Sequence, residues 1–378
     1  MIEYRFANAQ DMDAIIDFIN MIFSMMRVPH DFPTLLPKVY DRKYNTHDMH
    51  AIAVEDGRIC GVVAVYPYDL RLGKETLKAG YVGSVSVHKR VRGMGVMKHL
   101  MNMHIDRARE QGYDMLLLGG QRQRYGYYGF ANCGANHNYS ISAANARHAW
   151  KDVLAEGICF APMTEADAKE AFALYEQQLM HGARDENNFL DTLYSYKSKP
   201  WTITKEGQFF GYAVSSADCK RITELVLKDD EAIPAVLKAW LASQYKGTIE
   251  IQAATFNLSM NQVLAPVCEW FEISPNGMLL SLNPARVAEV YMKLKNQLKP
   301  LCDGECRIGY GEQGTLLMQV KDGEIRCTWT EDQPDKAYTE LDAQHLLYGF
   351  NPYTVEKPVN LPHNWLPLPL HIPEPDTF

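Results

Sequence analysis

Long apolar runs are missing from this sequence. The longest, such as Val62-Val63-Ala64-Val65, fall far short of the roughly 20 residues that a membrane-crossing helix needs. The start, Met1 to Phe6, has no basic-then-apolar leader pattern. The expectation is a cytoplasmic chain with no membrane partner. Basic charge is also in deficit: 38 Lys and Arg stand against 46 Asp and Glu, a formal charge of −8. Such a balance is not built to track nucleic-acid phosphates, and it mildly attracts cations, protonated amines among them. Cysteines are few and scattered. The one close pair, Cys302 and Cys306, has no second Cys/His pair at a zinc-site spacing, so we expect two thiols in a turn and no metal. What is present in ordinary measure is a packable interior, 47% hydrophobic against 22% charged residues, which excludes disorder as the main state. At 378 residues, two or three domains are expected at roughly 150 residues each.

Local patterns give an α+β chain. Ile2 to Ala7 alternates like a strand, and Asp11 stands where it can cap a helix carrying Ile15, Ile16, Phe18, Ile19, Ile22 and Phe23. Asp56-Gly57 between two apolar runs predicts a hairpin. These features return about 150 residues later: Phe6-Ala7 with Asp13-Ala14 is echoed by Phe160-Ala161 with Asp167-Ala168, and Asp56-Gly57 by Glu206-Gly207. Two related units follow, expected at residues 1–150 and 151–283. A third α+β unit, 284–378, opens with an amphipathic helix from Ala285 to Leu298. It ends in a tail with prolines at 362, 367, 369, 373 and 375, which is neither helix nor central strand. Trp365, Leu366, Leu368, Leu370 and Ile372 predict that this tail lies along a surface.

The chemistry-bearing stretch runs from Val85 to Leu100. A strand ends at Val87, a basic turn holds Gly93 and Gly95, and a helix follows with Met97, Leu100, Met101, His104, Ile105 and Ala108 on one face. Glycines let the backbone turn sharply beside a ligand. The first amides of the helix have no internal partner and sit at the positive end of its dipole. With Arg90 and Arg92 they make a pyrophosphate cradle. The glycines stop at two and the preceding strands are antiparallel, against a Rossmann site; no Gly-Lys-Ser/Thr follows, against a P-loop. His88 lies in the loop as a phosphate neighbour, while His99 and His104 read as surface and packing.

Arg90-x-x-Gly93-x-Gly95 after Val85-x-Val87, with Tyr125-Gly-Tyr-Tyr-Gly129-Phe130 downstream, resembles the GNAT acetyltransferases. The chain as a whole resembles their enhanced intracellular survival (Eis) branch. The resemblance implies two tandem GNAT-like units, a C-terminal sterol-carrier-like domain, and acetyl-CoA as co-substrate. Main-chain groups of Val85, Ser86 and Val87 would pair with the pantetheine arm. Amides from Arg90, Val91, Arg92, Gly93, Met94, Gly95 and Val96 would hold the pyrophosphate. In the second unit the corresponding segment, Glu224 to Pro234, has no such glycines, and its acids Asp229, Asp230 and Glu231 would repel a diphosphate. One cofactor site per chain is expected.

The resemblance makes Tyr125 the general acid for the departing thiolate, a phenol that carries its proton at neutral pH; Tyr127 and Tyr128 are the neighbouring alternatives. Strand residues 81–87 carry no Asp or Glu. In the Eis branch the terminal carboxylate serves at this place, here that of Phe378, ionised and weakly basic at a reference pKa of about 3.5. Thr377 stands where aminoglycoside-modifying relatives have an acid, which separates amine acetylation from aminoglycoside specificity. The expected activity is acetyl transfer from acetyl-CoA directly to a primary amine of a small cationic acceptor, aminoglycoside-like, polyamine or lysine. The alternative is a non-catalytic acyl-CoA or lipid-binding protein. The resemblance also implies a homo-oligomer, from dimer to hexamer.

Overall fold

Alternating apolar residues make Ile2–Phe6 (β1), His50–Glu55 (β2) and Arg58–Pro67 (β3) an antiparallel set in the computed structural model, which describes residues 1–25, 28–349 and 355–378. Asp56 and Gly57 form the turn between β2 and β3 with φ of +50° and +72°, the left-handed pair that matches the twist of a two-residue hairpin. The chain packs as two units. One holds residues 1–133, 277–368 and 377–378; the other holds 134–276 and 369–376.

In the first unit the sheet continues from β3 to Ala79–Val87 (β4), antiparallel, and then to Met115–Leu118 (β5), parallel to β4. Strand Met278–Ser281, with Ala131–Asn132 beyond it, completes seven strands. Two helices cover the faces. Met12–Ser24 (α1) buries Ile15, Phe18, Ile19 and Ile22 against Ile52, Val62, Ala64 and Tyr66. Val96–Glu110 (α2) buries Val96, Leu100, Met101, Ile105 and Ala108 against Ala51, Ala53, Val63 and Val82. Neighbouring residues of one strand serve opposite clusters, as the two-residue period of a strand requires. Capping of α1 begins one turn earlier than Asp11 alone suggests. The Asn8 side chain accepts from the Gln10 amide, and the Asp11 carboxylate accepts from the Asn8 amide at 2.9 Å while gripping Arg5 at 2.7 Å. In the same unit, helix Pro284–Leu298 lies on strand Glu324–Thr330 of a four-stranded sheet ordered 324–330, 315–321, 304–310, 336–338.

The second unit has a seven-stranded sheet of the same plan. Ile158–Pro162, Lys199–Lys205, Gln208–Ser215 and Arg221–Leu227 are antiparallel in order; Thr248–Ala254 joins parallel to the last; Ala135–Ser142 and Trp270–Pro275 complete it. Its hairpin turn, Glu206-Gly207, has φ of +52° and +77°, the backbone of Asp56-Gly57. Residues 369–376 are held here by buried charge. Arg184 grips Asp376 at 2.6 Å and Glu224 with both terminal nitrogens, and Arg221 pairs with Glu374 at 2.6 Å.

The tail is more deeply placed than a strap along a surface. Trp365, Leu366, Leu368, Leu370 and Ile372 are all buried. Among the described residues no helix is long and apolar enough to cross a membrane.

Three buried histidines give a pH dependence. Burial pushes His50, His104 and His371 down to about 4, so each is neutral when folded at neutral pH. Between about pH 4 and 6.5 the unfolded chain binds more protons than the folded one, so stability is full above the ordinary histidine value and is lost as pH falls toward 4. Each contributes at most about 3 kcal/mol over that window. Thermal melts should drop by several degrees from pH 7.5 to pH 5; a midpoint constant across that range would contradict the buried neutral imidazoles.

Candidate active site

Strand β4 pairs with β5 only from Ala79 to Val82, opposite Met115 to Leu118. Beyond Val82 no strand among the described residues pairs with β4 on that edge. Val85 and Val87 therefore leave main-chain donors and acceptors for an extended ligand, the mode in which a chain adds itself to a sheet edge, while Ser86, like His88, turns its main chain toward β3. On its other side β4 is bulged: Gly83 pairs with Ala64 and Ser86 with Val62, so Ser84 and Val85 together face Val63. Ser84 takes φ +53°, a left-handed conformation that costs a residue with a side chain about 1–3 kcal/mol.

The chain then enters the glycine turn. Gly93 and Gly95 have φ of +82° and +79°, and a Cβ built on either meets nothing within 4 Å. The space beside both is open. Gly95 caps α2 with no side-chain hydrogen bond, so the first-turn amides are left to a ligand. Val91 and Val96 are buried and anchor the turn at each end, while Arg92, Gly93, Met94 and Gly95 are exposed. His88 caps the turn: its Nδ1 accepts from the Arg90 amide at 3.2 Å. Arg90 reaches Glu55 at 3.3 Å in a partly exposed pair, worth little, so its charge remains available. These groups fit a diphosphate. The corresponding turn of the second unit does not: it has no glycines, and Asp229, which accepts from the Glu231 amide at 3.0 Å, places a negative charge where a diphosphate would sit.

Replacing Gly95 by valine should therefore raise KM for an acyl-CoA at least about tenfold, because a branched side chain cannot hold φ +79° without strain and intrudes on the open space. Steady-state kinetics checks this; an unchanged KM would mean the turn does not hold the cofactor.

Of the three tyrosines after β5, the structure buries Tyr125, leaves Tyr128 half-buried and exposes Tyr127, which accepts from Lys98 Nζ at 3.0 Å. Tyr125 belongs to the cluster that contains Val82, Val91, Val96 and Leu118, on the α2 face of the sheet. Burial raises its phenol above the ordinary value, with the adjacent Arg124 acting against that. The proton is held at neutral pH.

Phe378 packs on the opposite face, with the α1 cluster. Its ring stacks on Tyr66 at 4.7 Å and lies near Tyr81 and Tyr68 at 5.4 and 6.4 Å. Its carboxyl carbon is 3.4 Å from where a Cβ on Gly83 would stand, so a side chain at that position would displace the terminus. Lys38, buried, donates from Nζ to the Thr377 carbonyl at 2.7 Å and lies 3.8 Å from the Phe378 ring centre. Tyr125 and Phe378 thus belong to clusters on opposite faces of the sheet.

Lys38, Tyr40, His50, Tyr66 and Ser84 had no signal in the sequence. No spacing connects them, and only the bulge and the short helix Pro37–Tyr40 bring them together. Among the described residues no group of three or more His, Cys, Asp or Glu is placed to hold a metal, and Cys302 and Cys306 are free thiols.

Comparison with known proteins bears on the family and the fold. Residues 3–133 match the acetyltransferase (GNAT) domain family, so the chain carries an acyltransferase domain over that stretch. No curated protein matches the sequence. Solved structures share the fold. A GCN5-related N-acetyltransferase from Kribbella flavida has a TM-score of 0.66 at 15% identity, covering 91% of this chain and 89% of its own. A probable N-acyltransferase of unknown function from Enterococcus faecalis has 0.68 at 13%, covering 92% and 90%. Eis1 from Mycobacterium abscessus has 0.65 at 15%, covering 93% and 90%.

Proposed function

We propose that this chain is an acetyl-CoA-dependent N-acetyltransferase of the Eis-like branch, acting directly on a primary amine of a small cationic acceptor. The observation that carries the reading is the opening of β4 past Val82, continuous with the glycine turn and flanked by Tyr125 on one face and the Phe378 carboxyl on the other. Acetyl-CoA supplies the acyl group as a thioester, already activated toward an amine.

The chain's own groups do the rest. Val85 and Val87 offer main-chain hydrogen bonds to the pantetheine arm; Ser86, on the β3 side of the strand, does not. Of the expected amides, those of Arg90, Val91, Arg92 and Met94 are bonded within the turn itself, so the amides of Gly93, Gly95 and Val96, with the charge of Arg90 and Arg92, hold the diphosphate. A main-chain N–H of the bulged strand is available to a developing oxyanion. The Phe378 carboxylate holds the acceptor's ammonium and takes up a proton from it, through water or directly. As the C–S bond breaks, Tyr125 gives its proton to the departing sulfur, and the second proton of the acylated nitrogen passes through water to restore the phenol. No covalent enzyme intermediate is needed, since the amine is itself the nucleophile.

The expected segments 1–150, 151–283 and 284–378 are then an active GNAT unit, a second GNAT-like unit without the cofactor turn, and a sterol-carrier-like domain, with two boundaries moved: Ala135–Ser142 belongs to the second unit's sheet and Met278–Ser281 to the first's. The common plan of the two seven-stranded sheets supports the tandem reading. The likeness in fold to Eis1 over most of both chains accords with the branch.

The test is thiol release from acetyl-CoA with a panel of amines (aminoglycosides, polyamines, lysine and its peptides), each product weighed by mass spectrometry. Acetylation of at least one amine is expected. Cofactor binding with no acyl transfer to any amine would instead favour a non-catalytic acyl-CoA binder.

A further inference from the structure

The bulge at Ser84 raises a question that the cofactor site does not answer. A left-handed residue at this kind of bulge is ordinarily glycine, and β4 has glycines at 80 and 83 but a serine here. Something must hold Ser84 in that conformation.

A set of buried hydroxyls surrounds it. Ser84 Oγ lies 2.6 Å from the Tyr40 hydroxyl and 2.9 Å from that of Tyr66, and the two phenols are 2.7 Å apart. The Tyr40 hydroxyl also lies 3.1 Å from His50 Nε2. The imidazole is ordered by its far side: Nδ1 is 2.9 Å from the Thr46 carbonyl, which can only accept, so Nδ1 carries the proton. In the neutral ring Nε2 is then an acceptor. Tyr40 must donate its proton to His50, and its oxygen is left to accept from Ser84 or Tyr66. The direction of the bonds at Tyr40 is fixed by the tautomer of His50.

We propose that Tyr40, oriented by His50, is a positioning residue that latches Ser84 into its left-handed backbone conformation and so sets the aim of the Val85 amide along the open edge of β4. The proposal rests on reading β4 as the acyl-binding strand. Tyr40 acts through Ser84 and touches no substrate. The latch supplies by side-chain bonding the conformation that glycine would adopt freely.

Glycine itself gives the test. Tyr40→Phe keeps the ring and removes the central hydroxyl; kcat should fall about 10- to 100-fold, the scale of a small misplacement. KM for acetyl-CoA should rise by a smaller factor than kcat falls, because the glycine turn that grips the diphosphate is untouched although the Val85 contact is disturbed. Ser84→Ala, which keeps the strain and loses the bonds, should lose as much. Ser84→Gly, free to take φ +53° unaided, should exceed Ser84→Ala at least about tenfold in kcat, and Tyr40→Phe/Ser84→Gly should exceed Tyr40→Phe by a similar factor. If the serine hydroxyl did chemistry, Ser84→Gly would be as poor as Ser84→Ala, and the latch would be wrong. Thermal melts read the latch without reference to activity, with Ser84→Gly melting above Ser84→Ala; equal midpoints overturn it. Should the unaltered protein acetylate no amine, the acyltransfer reading fails, and the melting order still decides for or against the latch.

Discussion

Removing Phe378 should lower kcat by about 100- to 1,000-fold, the range for loss of a proton-handling group, while KM for acetyl-CoA changes less than about threefold. The terminus and the diphosphate turn are separate pieces of the site. Phe378 packs with Tyr66 on the α1 face, and its carboxyl carbon stands against Gly83, whereas Gly93 and Gly95 open the α2 helix. Appending a single glycine separates charge from packing. The Phe378 ring stays, able to stack on Tyr66, but its carboxylate becomes an amide that can neither hold an ammonium nor take its proton. The extended chain should be nearly as slow as the truncated one. Steady-state kinetics on both variants checks this; full activity in the extended chain would show that the ring matters and the carboxylate does not.

Tyr125→Phe should cost a similar factor in kcat. The phenol is buried against Gly120, where a Cβ would meet the Tyr125 ring, and it makes an edge contact with Phe130 at 6.5 Å. Phenylalanine preserves both contacts, so the loss reports the proton alone. Burial raises this pKa. An acid must be protonated to act, so the raised value moves the alkaline limb of kcat to higher pH than an exposed tyrosine would give. In Tyr125→Phe that limb should vanish. Tyr127→Phe, at an exposed ring bonded to Lys98, should change kcat less than about threefold. A pH–rate series on the three enzymes decides; an alkaline limb that persists in Tyr125→Phe would assign the acid elsewhere.

Local signals in the sequence were read where physics is local. Asp56-Gly57 and Glu206-Gly207 announced hairpins because two consecutive left-handed residues suit only such turns, and their recurrence pointed to the repeated sheet plan. The glycine turn was legible because Gly93 and Gly95 do need positive φ. What was not legible depended on distant partners. Strand Met278–Ser281 inserts beside Met115–Leu118, and nothing in four mostly apolar residues names that neighbour. The tail's apolar residues were visible, but their full burial was not, nor was the hold of Arg184 on Asp376, an ion pair with no spacing rule. The Tyr40–Ser84–His50 set was hidden for the same reason. Its members lie on a short helix, a bulge and a strand start, and a serine with φ +53° looks like any other serine in the sequence.

Calorimetric titration of acetyl-CoA into the purified protein addresses the central claim, that the turn at Gly93–Gly95 grips a diphosphate beside β4. One saturable site per chain is expected, with binding weakened at least about tenfold by Gly95→Val. Binding left unchanged by that substitution, or no saturable binding at all, would contradict it.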